Sequence, residues 1–503
     1  MARRQEGGRV YRGFWRLVEK LGVKDARARW ERRPELVQRA VPPLVIAAVV
    51  IIAVWLVFGL APDPAAMVML AVVYTLYLMP RRWRRYALPA TLLMFAVIYP
   101  FLIQQVDYER FLFKLPLFNA FPQMTTMVLM VIFAMMAVAL NMVVGYAGLL
   151  DLGYVAFYAL GAYTGAWLAS GQASQYGINF DLGGIGVPPG IGGIHISIWI
   201  VLLAAAIVTA VGGVLIGLPT LRLRGDYLAI VTLGFGEIVA ELAKAGDKDT
   251  LGFNLTNGVP GINPVDPPGF GAWIAHHLGL PANYLTEAGV YLNFTTLIYW
   301  SGIVLLLITV FCSIRLRDSR LGRAWIAIRE DEVAAAAMGI PLMRTKTWAY
   351  ASGAFFGGIA GAWFASYLQA VFPENFSFTI SITILTMVIL GGMGNVWGVI
   401  AGGLMLSYLN FEGLNQVSTW LNGGHFPVKY VLSCNPTSQD ITKVVSAGCV
   451  NAPVVSTGIY GLILVLVMLF RPGGLFPEQR RRYEFETGVH DEPLMDVTHS
   501  PAG

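Results

Sequence analysis

A chain that turns apolar again and again, each time for roughly the width of a bilayer, has few ways to fold. Apolar runs bounded by charge or by Pro/Gly recur at about 41–61, 65–80, 86–106, 123–145, 149–169, 194–217, 226–242, 294–313, 348–371, 378–394, 396–411 and 455–470. Lipid offers no hydrogen bonds, so a crossing segment must satisfy its own backbone, and about 20 residues of α-helix do so. Only 13% of the 503 residues are charged against 56% hydrophobic, and a soluble domain carries about 25% charge. So few charges cannot clothe a water-facing surface. The expected fold is an all-α integral membrane protein with about 10–12 transmembrane segments, some short or Gly-broken. The runs 65–80, 226–242, 378–394 and 396–411 are the shortest, and paired short segments broken by Gly are also how transporter sites are built.

Charge sets the orientation. With the N-terminus inside and every run crossing, the inner segments 1–40, 81–85, 146–148, 218–225, 314–347, a turn near Asn395 and 471–503 hold 29 of the 35 Lys and Arg. Arg110, Lys114, Lys244, Lys248, Lys429 and Lys443 fall outside. This asymmetry predicts cytoplasmic N- and C-termini, and it explains the basic stretch at the N-terminus more simply than nucleic-acid binding does. Residues 1–40 therefore read as a basic cytoplasmic segment, 41–122 as N-terminal membrane hairpins, 123–480 as the core, and 481–503 as a polar cytoplasmic tail. Within 10–21, Val10, Phe14, Leu17, Val18 and Leu21 share a face opposite Arg12, Arg16 and Lys20, the pattern of an interfacial helix or of one packed on the protein's own loops. The first apolar run, from Val41, is long enough to be an anchor rather than a cleaved signal.

No catalytic constellation is visible: the chain has no G-x-S-x-G, no H-E-x-x-H and no G-x-x-x-x-G-K-[ST]. Hydrolysis of ATP through a phosphate loop of its own is thereby excluded. The six His show no metal-ligand spacing, so neither a metal nor a cofactor is expected. Cys434 and Cys449 share a polar outer loop, 412–454, where they form either a disulfide closing about 15 residues or two free thiols.

Four stretches invite function. In Asn141–Trp167, Gly145, Gly148 and Gly153 interrupt an apolar run and free backbone groups that must be satisfied within the protein. Asp151, assigned near the inner interface, either caps a helix beginning at Leu152 or faces a pathway or gate. The glycines Gly353, Gly357, Gly361 and Gly394, Gly398, Gly402 recur every four residues, which lets helices pack closely or slide against one another. In the inner loop 314–347, Arg329, Glu330, Asp331 and Glu332 precede an Ala-rich stretch ended by Gly339 and Pro341. It is either a solvated connector or a short helix that docks in a partner's groove. Glu237 and Glu241, one helical turn apart, either hold a substrate ammonium group or form a solvated rim beside Lys244.

Together these stretches resemble the LivM-type permease subunit of ABC importers for branched-chain amino acids. The likeness rests on NMVVGYAGLLDLGYVAFYALGAYT, LPTLRLRGDYLAIVTLGFGEIV, GRAWIAIREDEVAAAAMGI, PENFSFTISITILTMVILGGMGNVWGVIAGG and RPGGLFP, in that order, over about 123–411 and 455–480. It implies a multi-pass protein of a bacterial cytoplasmic membrane that moves Leu, Ile or Val inward and does no covalent chemistry. It also implies partners: a second homologous permease subunit, two cytoplasmic ABC ATPases and an extracytoplasmic substrate-binding protein, besides membrane lipid. The stretch Glu332, Ala334, Ala335, Gly339 is similar to the E-A-A-x-x-x-G loop that couples importer permeases to their ATPases, although Glu332 to Gly339 is one residue longer. Urea and short-amide importers use similar permeases. A stand-alone ion-coupled carrier would need more mid-span ionisable groups than Asp151, and a membrane enzyme would need a polar cluster at one depth.

Overall fold

The computed structural model describes residues 91, 93–101, 122–182, 192–220, 226–247, 253–268, 294–417, 456–471 and 473–476. The basic N-terminal segment with its 10–21 pattern, the loop carrying Cys434 and Cys449, and the tail 481–503 lie outside the described residues. The chain divides into two compact units, Met1–Phe121 and Pro122–Gly503. In the first, residues 93–101 are helical, and Phe95 meets Tyr99 edge to face at 5.8 Å between ring centroids.

The described residues of the second unit are mainly helical, with one small sheet. Helix α1 (Met124–Leu140) runs directly into a π-helical stretch, Asn141–Tyr146. After a non-helical passage come α2 (Val155–Leu168), α3 (Ile198–Thr220), α4 (Asp226–Lys244) and α5 (Phe294–Asp318). Two short helices, α6 (Arg320–Glu330) and α7 (Glu332–Ala337), lead into α8 (Leu342–Leu368). Last are α9 (Phe378–Gly391), α10 (Val396–Tyr408) and α11 (Ser456–Phe470). Met124–Tyr146, Ile198–Thr220 and Thr295–Asp318 are long and apolar enough to cross a membrane.

After α2 come three short strands of one sheet, β1 (Ala169–Ser170), β2 (Phe180–Leu182) and β3 (Ile194–Ile196), in the order β1-β3-β2. Strand β3 pairs antiparallel with β1 and parallel with β2. Buried His195 meets Asp266 at 2.8 Å there, and Asp266 N–H donates to Ala169 C=O at 2.7 Å, tying the sheet to the 253–268 segment.

Helix α8 is the spine, packed mainly against α3 and α2. Its small residues explain the closeness. A Cβ added at Gly361 would run into the Tyr158 carbonyl of α2, and one at Gly161 into the Gly358 backbone. Gly358 in turn lies against the Thr209 side chain of α3. By contrast, Ile200, Leu203, Ile207, Val211 and Leu215 are exposed along one side of α3, as on a helix whose outer face meets acyl chains.

The short runs 378–394 and 396–411 are the paired helices α9 and α10. Gly398 and Gly402 lie against the backbone of Gly391 and Met387, so this ridge is a close helix–helix contact. Gly394 belongs to the turn between the helices, with φ +90°. That turn is a junction. Gly394 N–H donates to Asn141 Oδ1 at 2.9 Å, Phe476 N–H to Gly391 C=O at 3.2 Å, and Asn395 Nδ2 to Phe476 C=O at 2.9 Å. Three stretches far apart in sequence, around 141, 391–395 and 473–476, thus close on one another.

Candidate functional site

The site is built on the interruption between α1 and α2. At its first end Asn141 is hydrogen-bonded to Gly394, beside the end of α9, whereas Val155 N–H donates to Ser381 Oγ at 3.0 Å near the start of α9. The α-helical rise between Ser381 and Gly391 is about 15 Å. Helix α2 therefore begins well inside the bundle, and residues 147–154 climb to it as non-helical chain, a length that extended backbone covers easily at about 3.3 Å per residue.

Such a passage survives away from water only if protein atoms take up its backbone groups. They do. Leu152 N–H donates to Thr232 Oγ1 of α4 at 3.1 Å, Gly153 N–H to Asp151 Oδ1 at 2.9 Å, and Leu149 N–H to Val143 C=O at 3.2 Å. Gly153 is glycine because a Cβ there would strike the Thr232 carbonyl. Asp151 is 2% exposed and sits within the bundle rather than at its edge. The helix it was expected to cap starts at Val155, not Leu152, and the N-cap residue Tyr154 makes no side-chain cap bond. Asp151 instead holds the turn that leads into α2. The local sequence could not reveal this, because the start of α2 is fixed by Ser381, 226 positions away.

The inner loop 314–347 is two helices meeting at a sharp corner. Ser319 caps α6, accepting from Gly322 N–H at 3.2 Å. Asp331 caps α7, its Oδ1 accepting from Val333 and Ala334 N–H at 2.8 and 2.9 Å. Gly339, at φ +84°, and Pro341 end α7, the stop read from the sequence. Trp325, fully buried, anchors the corner by donating from Nε1 to Thr345 C=O at 2.8 Å, and Ile328 and Ala335 are buried beside it. The opposite side of α7 projects outward, with Val333 68% and Met338 84% exposed and Ala334 exposed between them.

A buried cation pins α7 to α8. Lys346 Nζ donates to Glu332 Oε1 at 2.8 Å, with side chains 4% and 27% exposed. Breaking such a pair from the carboxylate side strands the lysine away from water. Glu332→Ala should therefore lower stability by about 3 kcal/mol, and Lys346→Met by clearly less, since Glu332 reaches solvent. Thermal unfolding of the two purified variants, compared with wild type, checks the order; equal losses would contradict it.

One contact joins the two halves of the site. Arg329, at the end of α6, donates from Nη1 to the Gly145 carbonyl in the π-helical stretch. Gly148 leaves room for that side chain, since a Cβ there would lie 2.7 Å from Arg329 Cγ, and its φ of +68° favours glycine besides. Asn141, Gly145, Gly148, Asp151 and Gly153 are thus one continuous structure that Arg329 bridges to α6 and α7. Glu330 lies on α6 next to the corner. Glu237 and Glu241 stand apart from this group on exposed positions of α4, where Glu241 pairs with Lys244 at 3.2 Å, the geometry of a solvated rim. The sequence reading missed Thr232, Lys346 and Ser381. Thr232, Lys346 and Ser381 each meet a partner far away in sequence or on another element, at Leu152, Glu332 and Val155.

An apolar helical bundle with a broken span inside, braced against a projecting short helix, has the architecture of a membrane permease. The sequence comparisons give the same class and a family. Residues 124–468 match the family described as branched-chain amino acid transport system / permease component, and the chain belongs to it. The high-affinity branched-chain amino acid transport system permease protein LivM of Salmonella typhimurium is 31% identical over 412 residues, 79% of this chain and 76% of that protein. Its namesake in Escherichia coli is 32% identical over 376 residues, 72% and 71% of the two chains. A relative from Methanocaldococcus jannaschii is 26% identical over 368 residues, 69% of this chain and 91% of that one. No solved structure matches the chain. It is a transport subunit rather than an enzyme.

Proposed function

We propose that the chain is the permease subunit of an ATP-driven importer that moves Leu, Ile and Val across a bacterial cytoplasmic membrane. In this reading it pairs with a second homologous permease, receives its substrate from an extracytoplasmic binding protein, and is driven by two cytoplasmic ATPases. The membrane core is the 123–480 segment, and the pathway runs past Asn141, Gly145, Gly148, Asp151 and Gly153. Helix α7, with Glu332, Ala334, Ala335 and Gly339, is the element the ATPases push.

The observation that carries this reading is the bridge from Arg329 to the Gly145 carbonyl. A rigid corner, held by Trp325 and by the Lys346–Glu332 pair, transmits displacement of its exposed tip to whatever Arg329 grips. That is the π-helical stretch Asn141–Tyr146, directly before the non-helical passage 147–154 that interrupts the bundle. A two-state change in the broken span then follows from a push on α7, which is alternating access in mechanical terms.

Affinity co-purification of the tagged chain from its native membrane tests the assembly. Wild type should bring down a second permease and two ATPases. A variant carrying Ala334→Arg and Gly339→Trp, which leaves the Glu332–Lys346 pair in place, should keep the permease and lose the ATPases. Recovery of the chain alone in both cases would overturn the importer reading.

A further inference from the structure

We propose that the exposed face of α5 holds an anionic phospholipid, with its acyl chains along Val304, Leu307, Ile308 and Phe311 and its phosphate on the arginine cluster that begins at Arg315. The inference rests on α5 crossing the bilayer and does not depend on what the protein transports.

Over Thr295–Asp318, helix α5 is long and apolar enough to span a membrane. Its two sides differ. Ile303, Val310 and Ser313 are buried, and Ser313 Oγ lies 3.0 Å from the Tyr146 hydroxyl of the π-helical stretch. Val304, Leu307, Ile308 and Phe311 are exposed and follow the i, i+3, i+4, i+7 spacing of one helix face. Arg315, exposed one turn further on, continues that face, and its guanidinium carbon is 5.3 Å from the centre of the Phe311 ring.

The stripe leads into a run of charge. Within the nine residues 315–323, Arg315, Arg317, Arg320 and Arg323 stand against a single acid, Asp318. Hydrogen bonds gather them at one corner. Arg317 Nε donates to Asp318 Oδ1 at 3.1 Å, and Arg323 of α6 donates from Nη1 to the Asp318 carbonyl at 2.9 Å. Asp318 lies three residues beyond Arg315 on α5, which makes the two neighbours on one face. Arg315 and Arg320 pair with no carboxylate among the described residues.

An apolar stripe that ends in a cationic corner is complementary to a molecule with a long hydrocarbon body and an anionic head. Guanidinium groups present forked N–H donors that match phosphate oxygens. The Phe311 ring holds the Arg315 head along the stripe through its π-face, which leaves the N–H edge for the lipid. A zwitterionic lipid offers the same phosphate but brings an ammonium group among the arginines, so the anionic kind is favoured. A second protein helix fits this face less well. Close helix contacts in this bundle are built on glycine, as at Gly161 and Gly361, whereas the exposed positions 304, 307, 308 and 311 carry only branched or aromatic side chains. The lipid lies across α5 from Ser313 and beside the start of α6, the helix whose far end grips Gly145. It therefore steadies the corner from which the broken span is held.

The full chain, purified in mild detergent with the subunits that accompany it, is titrated with phosphatidylglycerol or phosphatidylcholine of the same acyl chains, and bound lipid is read by native mass spectrometry. Phosphatidylglycerol should bind at least about tenfold more tightly than phosphatidylcholine, and Arg315→Gln combined with Arg320→Gln should remove most of that preference. The corresponding pair of Lys substitutions should keep part of it. Lys244→Gln, which removes a charge on α4, should leave it unchanged, and inorganic phosphate should not displace the lipid, since it has no acyl chain. A phosphatidylglycerol with a photoreactive acyl chain should label peptides within 304–323. Both arginines are exposed, and an unchanged melting temperature shows that the variants have folded. Equal retention of the two lipids would make the face an ordinary lipid-facing surface and overturn the proposal. So would an undiminished preference in the double Gln variant, labelling confined to other peptides, or capture of a second subunit in place of lipid by a photoreactive side chain introduced at position 308.

Discussion

In the importer proposed above, Arg329→Ala should lower uptake by at least about tenfold while the complex still assembles with its ATPases. The guanidinium makes a charge-assisted bond to the Gly145 carbonyl across 184 residues of sequence, and it fills the space that Gly148 leaves open. Alanine removes the bond and the packing together. It leaves Trp325, Asp331 and the Lys346–Glu332 pair in place, so the docking surface of α7 is intact and only its link to the broken span is cut. Arg329→Lys keeps a charge but not the planar fork, and should recover only part of the activity. Leucine uptake and ATP hydrolysis measured on the same vesicles decide the matter: uptake lost with hydrolysis retained is the expected pattern. Unchanged uptake in Arg329→Ala would remove Arg329 from the coupling route.

Gly361→Val should prevent the protein from accumulating in the membrane in folded form, whereas Gly461→Val should be neutral. At Gly361 the obstacle is the Tyr158 carbonyl and the Ala162 backbone of α2, which cannot turn aside as a flexible side chain could. Overpacking against movable side chains costs about 1–3 kcal/mol, and separating two helix backbones should cost more. Gly461 sits on α11 with nothing within 4 Å of an added Cβ. The pair controls for the residue change itself, since both replace a helical glycine by valine. Detergent-resistant yield and melting temperature of the two variants test the contrast. A similar loss at both positions would mean that valine harms these helices for reasons unrelated to packing.

Much of this architecture was legible in the sequence because its causes are local or periodic. Long apolar runs mark α1, α3 and α5, the four-residue Gly spacing marks the face of α8 that meets α2 and the end of α1, and Gly339 with Pro341 marks the end of α7. The family motifs, too, are the segments that meet: GGMGN and RPGGLF close on each other around Gly391–Asn395. The rest was hidden because its causes are distant. An Asp followed by apolar residues looks like a cap whether its helix starts one residue later or four. Only Ser381 and Thr232, on other spans, fix where α2 begins. The polar partners that complete the site are single residues within or beside apolar runs, and no spacing rule announces which helix each one faces.

The broken span has a further consequence, for how the chain is made. Ribosomes deliver residues 147–154 to the membrane before the atoms that hold them there exist. Thr232 Oγ1 lies 80 positions later and Ser381 Oγ 226 positions later. Until those arrive, the N–H groups of Leu152 and Val155 lack the acceptors they finally use, and acyl chains provide none. The segment therefore has to wait in some other form, as a longer continuous helix or inside the insertion machinery, and takes its working conformation only when α4 and α9 have docked. The interruption between α1 and α2 is then set only after helices made much later, because it borrows its hydrogen bonds from them.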